Sequence, residues 1–166
     1  MFRDMRRAKQ KLPRESCEAI LSNGTYGVLA VLGDEGYPYA VPLNYVYQNG
    51  RIVFHSAKTG HKVDALASCD KASFCVVDKD TVVPEEYTTY FRSVIAFGRV
   101  RTIDDPVEKR AAIDALARKY HPIDTAEHRN AAIDREWMPL QMYELIIEHL
   151  SGKEAIELVR AKHKQN

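Results

Sequence analysis

The stretch RIVFHSAKTGHK, residues 51–62, concentrates the chain's chemistry, and its order of strand, loop and helix decides how the rest is read. Arg51, Ile52, Val53 and Phe54 have β character, and His55 to Gly60 form a short polar loop that ends the strand. A helix starts from His61. Such a loop delivers hydroxyls, ring nitrogens, an ammonium group and a helix N-terminus to one place, which suits a phosphate. Singly, His55 reads as a strand-end histidine bonded to a neighbouring carbonyl, and Lys62 as an exposed helix lysine. Together in this loop they favour a phosphate-bearing cofactor. A metal site using His55 and His61 lacks a carboxylate or third ligand at a recognisable spacing.

Upstream, Gln48-Asn49-Gly50 is a hairpin signal, so the segment before it is an antiparallel neighbour. Residues 37–47 alternate as one strand, with Tyr37, Tyr39, Val41, Leu43, Tyr45 and Tyr47 on one face. Pro38, Ala40, Pro42, Asn44 and Val46 share the other. Each proline removes a ladder donor, which places Pro38 and Pro42 at an edge or bulge, where neighbouring backbone amides are free to meet a ligand. The alternating tyrosines read as core or interface packing in preference to a stacking surface. Gly33-Asp34-Glu35-Gly36 is the turn that joins this strand to an earlier one over residues 25–32. Pro13 opens a short amphipathic helix carrying Cys17, Ile20 and Leu21, which Asn23-Gly24 stops. Arg3, Arg6, Arg7, Lys9 and Lys11 make residues 1–12 a basic arm, read as solvated and partly disordered.

Downstream, residues 72–77 resume a strand, residues 78–86 read as a polar loop, and residues 87–103 form a long strand with a bend at Gly98. Asp105-Pro106 announces the longest helix, which ends before His121-Pro122. A shorter helix spans 126–133, and Trp137-Met138-Pro139 breaks it. The local sequence leaves Trp137 undecided between an interface and a ligand edge. Residues 142–149 are the last strand, which Ser151-Gly152 separates from a charged tail. Six strands joined by hairpins, with three or four helices, make a mainly β fold with peripheral α, an antiparallel barrel.

The 166 residues fit a single domain, 1–166, and 45% hydrophobic with 28% charged residues is an ordinary globular composition. A net charge of +1 argues against a general nucleic-acid binder. Cys17, Cys69 and Cys75 are odd in number and widely spaced, which reads as structural thiols in a reducing compartment. No apolar run approaches the roughly 20 residues of a membrane span, and no signal peptide is visible, so the expected location is cytoplasmic with no membrane contact.

The ordered motifs AVPLNY at 40–45, FHSA at 54–57, GHK at 60–62, Arg92-Ser93-Val94 with Gly98, and SGK at 151–153 resemble the pyridoxamine 5′-phosphate oxidase-like flavoproteins, closest to their nitroimidazole-resistance branch. The resemblance runs from about Arg6 to Lys153. It implies a six-stranded antiparallel split β-barrel that holds FMN non-covalently in a cleft between the two subunits of a homodimer. His55, Ser56, Ala57, His61 and Lys62 would surround the phosphate. Val41, Pro42, Leu43 and Asn44 would line the isoalloxazine ring, and Arg92 and Ser93 are further candidates, contributed by the second subunit. The longer substrate segments of the pyridoxamine phosphate oxidases are missing, which argues against vitamin B6 oxidation. No catalytic protein nucleophile is expected, because the reactive atoms lie on the flavin. The implied activity is an NAD(P)H-dependent oxidoreductase acting on a small acceptor such as a nitroaromatic. Rival readings are a non-catalytic FMN carrier or sensor and a flavin-free interaction module.

Overall fold

The computed structural model describes residues 2–165, with side chains in the last helix as far as Lys162. Among them, seven strands form one antiparallel sheet: β1 (Gly27–Leu32), β2 (Pro38–Leu43), β3 (Val46–Gln48), β4 (Arg51–Ala57), β5 (Lys71–Val83), β6 (Thr88–Ile103) and β7 (Leu140–Glu154). Five α-helices accompany it: α1 (Arg14–Asn23), α2 (His61–Ser68), α3 (Pro106–Tyr120), α4 (Ala126–Glu136) and α5 (Ile156–Gln165). The strand order is β2-β1-β5-β6-β7-β4-β3.

The six-stranded barrel expected from the sequence is corrected to seven strands whose ladder is not closed. The expected strand over 37–47 is in fact two. β2 pairs with β1, β3 pairs with β4, and these two pieces are the opposite edges of the sheet. Only Asn44 and Tyr45 separate them. Seven strands laid flat at about 4.8 Å spacing would put the edges roughly 29 Å apart. The chain from Leu43 to Val46 reaches at most roughly 11 Å. The sheet therefore curls until its edges meet at this link.

Side chains hold the link where a ladder would have. The Asn44 amide donates to Thr25 O at 2.9 Å, and the Tyr45 N–H donates to the Tyr120 hydroxyl at 3.0 Å. Lys119 Nζ donates to Gly24 O at 2.6 Å and Tyr45 O at 2.9 Å, with its ammonium 4.1 Å from the Tyr45 ring centre. The Tyr45 ring is fully buried against Phe74, and its hydroxyl donates to Leu21 O at 2.7 Å. Gly24 permits this approach, since a Cβ there would lie 2.6 Å from the Tyr45 oxygen. The packing role expected for the tyrosines holds for Tyr39, Tyr45 and Tyr47, whereas Tyr37 is exposed.

Two apolar layers result. Leu29, Ile52, Phe54, Phe74, Val94 and Leu145 fill the inside of the curl. Val53, Ile103, Ala112, Leu140 and Met142 pack the outer face beneath α3. Both prolines of β2 lie on an edge strand, as expected, and Gly98 sits at a bulge against β7. Residues 78–83, expected in a loop, continue β5 and pair with residues 88–92 of β6 beyond a bulge at Asp78. Their polar side chains read as loop because this ribbon is open to solvent on both faces. Gly152 does not end the last strand either: β7 pairs with β6 as far as Glu154. It is buried against Cys17 and Leu12, and a Cβ would collide with both. The basic arm is docked at its C-terminal end, where Gln10 and Leu12 are buried and the Gln10 amide donates to Glu154 O at 3.0 Å.

Tyr45→Phe should destabilise the chain by about 1–2 kcal/mol by orphaning the buried Leu21 carbonyl. The readout is a lower urea midpoint at unchanged slope. An unchanged midpoint would show that the hydroxyl does not hold the link.

Candidate functional site

Alternation along β4 divides its side chains between the two layers. Ile52 and Phe54 face the inside of the curl, and Val53 faces α3. His55 and Ala57 follow Val53 by the same period, so the strand that fills the core also carries His55 to the outer face. There β4 runs alongside the start of β7, with His55 opposite Met142 and Ala57 opposite Leu140.

The wall opposite is built by α3 and α4. Asp105 caps α3 by accepting from the N–H groups of Val107 and Glu108, both at 2.9 Å, and Thr125 caps α4 by accepting from His128 N at 3.1 Å. Arg129, buried on α4, reaches Asp114 of α3 at 2.6 Å, and Arg118 reaches the other Asp114 oxygen at the same distance. The hydrogen bond from Arg118, with help from Arg129, holds the Asp114 carboxyl below the usual carboxylate range. Lys109 crosses from α3 to the segment after α4, donating to Leu140 O at 2.6 Å and Trp137 O at 3.3 Å, its ammonium 4.3 Å from the Trp137 ring centre. Trp137 thus has a packing role.

Between this wall and the end of β4 lies a cavity of about 370 Å3. Its β4 side is His55, Ser56 and Ala57. The helical side is apolar, with Ile113, Ala117, Ala132, Ile133 and Leu140, and Glu136 is its one acid. The strand expected to end before His55 goes further, because His55 to Ala57 continue β4 and pair with β7; the loop is residues 58–60, and Gly60, whose φ of +122° is open to glycine, leads into the first turn of α2. Among the described residues, no ion pair involves Lys58 or Lys62. Packing around the ring, and then the Lys62 charge, push the His55 imidazole below its ordinary value, although the residue as a whole is exposed. Burial also lowers Lys62. Lys109 is lowered by burial first and by Lys58 second. Asp104 acts in the opposite direction on Lys109, whereas Lys58 and Lys62 carry no ion pair among the described residues. That environment favours an incoming anion.

The other residues singled out from the sequence are placed as follows. His61 turns toward the Asp34 turn: its ring stacks on Tyr39 at 4.1 Å, and Nε2 accepts from Asp34 N at 3.4 Å. Val41, Pro42 and Leu43 lie on the β2 edge, with Asn44 in the link beyond. Arg92 and Ser93 stand opposite Glu154 and Lys153 at the far end of β7. From Met142 to Glu154 is roughly 40 Å of strand, so one chain does not bring Arg92 to His55. Arg92 is instead paired with Asp78 at 2.5 Å.

The chain matches the description "pyridoxamine 5′-phosphate oxidase" over residues 13–154. It belongs to that family. Solved structures agree in fold. A candidate 5-nitroimidazole antibiotic resistance protein from Bacteroides thetaiotaomicron is 22% identical, with 87% of this chain and 86% of that chain covered and a TM-score of 0.72. An FAD-binding protein from Mesorhizobium loti is 22% identical over 88% of this chain and 97% of that one, with a TM-score of 0.66. A conserved hypothetical protein from Mycobacterium tuberculosis gives a TM-score of 0.79 at 17% identity, covering 91% and 90% of the two chains. No match exists among curated proteins. Among the described residues no helix is long and apolar enough to cross a membrane. The pyridoxamine oxidase-like chain thus carries its cation cluster on a fold shared with a flavin-binding protein.

The α3–α4 wall escaped the sequence reading. Ile113 belongs to an ordinary helical apolar stripe, and nothing in a linear pattern says that part of such a stripe lines a cavity.

NMR titration should find the His55 imidazole below the ordinary histidine value, and Lys62→Met should raise it by removing the like charge. An unchanged titration in Lys62→Met would separate the two groups.

Proposed function

We propose that this protein binds FMN and acts as an NAD(P)H-dependent oxidoreductase on a small acceptor such as a nitroaromatic. The observation that carries the reading is His55, on the lining of the cavity and lowered by burial and then by the charge of Lys62, with Lys62 itself lowered by burial and without an ion pair among the described residues. Family membership and the fold shared with an FAD-binding protein support a flavin as the anion's bearer.

His55, Ser56, Ala57, His61 and Lys62 hold the phosphate. Lys62 gives a permanent charge, Ser56 a hydroxyl, and Gly60 the bend that opens α2. His61 joins them by leaving its partners at Asp34 and Tyr39. Val41, Pro42, Leu43 and Asn44 run along the ring, where an edge strand with two prolines leaves backbone amides without ladder partners. Arg92 and Ser93 reach the ring from the second subunit of a homodimer, since their own chain holds them a strand's length away. When bound, the flavin would supply the redox chemistry between a reduced nicotinamide and the acceptor. The protein orients the ring, excludes water and compensates the phosphate charge.

Lys62→Ala should weaken FMN binding by about 1–3 kcal/mol, the scale of a lost charge-assisted hydrogen bond. Titration calorimetry reads it, and unchanged affinity would remove Lys62 from the site.

The free-state depression of His55 also fixes a sign. A phosphate dianion raises the imidazole, so binding takes up a proton and affinity falls as pH rises through the histidine range. His55→Gln should flatten this dependence, and a wild-type affinity independent of pH would contradict a contact with His55. Anaerobic mixing of the FMN complex with NADH or NADPH tests turnover. Persistent flavin absorbance with both would leave a carrier or sensor as the function.

A further inference from the structure

His61 is the first residue of α2, next to Lys62, yet its side chain serves another part of the fold. The ring lies over Tyr39 of β2, with centres 4.1 Å apart and planes 12° from parallel. Its Nε2 accepts from the Asp34 N–H at 3.4 Å and stands 3.6 Å from the Asp34 carboxylate. Asp34 opens the short turn of residues 34–36 that joins β1 to β2. One imidazole therefore ties the start of α2 to that turn and to the edge strand beyond it. Gly33 leaves room for the ring, since a Cβ there would lie 3.1 Å from His61 Nε2. The tie is weak. Its hydrogen bond is at the long limit, and the His61 and Asp34 side chains are 39% and 86% exposed. The turn has no stronger hold from outside. Residues 34–38 are exposed, Glu35 takes a φ of +55°, and the turn's one hydrogen bond to another element among the described residues is the one to His61.

We infer that His61 is an autoinhibitory latch: in the free chain it fastens the β1–β2 turn to α2, and an anion at His55 and Lys62 draws it off Tyr39 and Asp34 and frees the turn. This rests on the phosphate reading of residues 55–62 above. The Asp34 N–H is a donor, so it holds Nε2 as an acceptor, whereas a phosphate oxygen needs a donor from the same ring. The two partners therefore compete. A chain that binds the anion only with the latch open shows an affinity reduced by the fraction that is open. Release has a direction as well. The turn is the hairpin end of β2, and Val41, Pro42 and Leu43 follow on the same edge strand. An anion arriving at α2 is thus communicated to the strand assigned to the flavin ring, through a side chain that touches both.

The test is NMR of the full-length chain, freed of any bound flavin, titrated with inorganic phosphate and with FMN. The His61 ring resonances, identified by their absence in His61→Gln, start upfield in the shielding zone of Tyr39. Either ligand should move them to ordinary histidine positions and shift the Asp34 amide with them, although Asp34 lies on a different element. Asp34→Pro removes the amide donor and the carboxylate together, and it suits the backbone, because the position opens the turn after an extended Gly33. That variant should bind phosphate and FMN roughly three- to tenfold more tightly. Added to His61→Gln, the same change should have no effect on affinity. Unchanged or weaker binding by folded Asp34→Pro overturns the latch, and the wild-type titration decides by itself should the variant not fold. Binding of either ligand with the His61 ring still upfield also overturns it, and makes His61 a fixed support of the turn. If phosphate moves His61 and Asp34 while FMN does not bind, the flavin reading fails and the latch stands. If neither ligand binds, both fall.

Discussion

The two-residue link of Asn44 and Tyr45 is the constraint on which the structure turns. It joins strands that stand at opposite ends of the sheet, so it fixes the curl of all seven strands at one corner. A link with so little slack must have its backbone polar groups answered locally, because no ladder runs through it. Thr25, Lys119 and Tyr120 provide that answer, and two of these belong to the last turn of α3. The helix is therefore pinned where the sheet closes on itself. Its other end is set by the Asp105 cap, directly after β6.

From that pinning follows the position of the cavity. With α3 held at both ends over the outer face of β4 and β7, the side chains of Val53 and Met142 are covered, and those one step further along β4 stand at the rim. His55 is one of these. An uncurled sheet would leave His55 on an open surface, where neither burial nor Lys62 would shift its proton equilibrium. The same outer face carries Glu144, buried between Arg51 and Arg101 at 2.9 and 2.6 Å. These three show how the fold treats a buried charge when no ligand is involved: it supplies the counter-charge itself.

Much of this was legible in the sequence. The strand at 51–54, the turn at 48–50, the edge placement of Pro38 and Pro42, and the Asp105-Pro106 helix start all rest on local rules that burial does not override. What local rules miss is where one element serves two purposes. Residues 37–47 alternate without a break, because Tyr45 is as buried as its strand neighbours although its backbone is in no ladder. Gly152 has the composition of a terminator but is a contact, since the property that matters is the missing Cβ facing Cys17. Residues 78–83 look like loop because a ribbon wet on both faces needs no apolar side. The phosphate end of the site was visible since its residues are consecutive. The α3–α4 wall was not, because it brings residues from 113 to 140 against residues near 56, and separation of that kind leaves no pattern in one dimension.

The way the chain satisfies its lysines bears on what the site is for. Lys109 and Lys119 of α3 are both drawn out of water, and burial lowers both. Neither forms an ion pair among the described residues. Each is held by two backbone carbonyls and an aromatic face, Trp137 for one and Tyr45 for the other. Carbonyl dipoles and ring quadrupoles stabilise an ammonium without cancelling its charge at a distance, whereas a carboxylate would pair it and remove the local field. Arginines elsewhere on the sheet do take carboxylates: Arg99 takes Asp70 and Glu148, and Arg92 takes Asp78. These arginines are neutralised, whereas Lys58 and Lys62 have no ion pair among the described residues. A structure built only for stability gains by placing an acid near Lys58 and Lys62, and such an acid would compete with any phosphate for the same donors. The arrangement costs the empty protein some stability, and an anion arriving at the loop finds a positive field already in place.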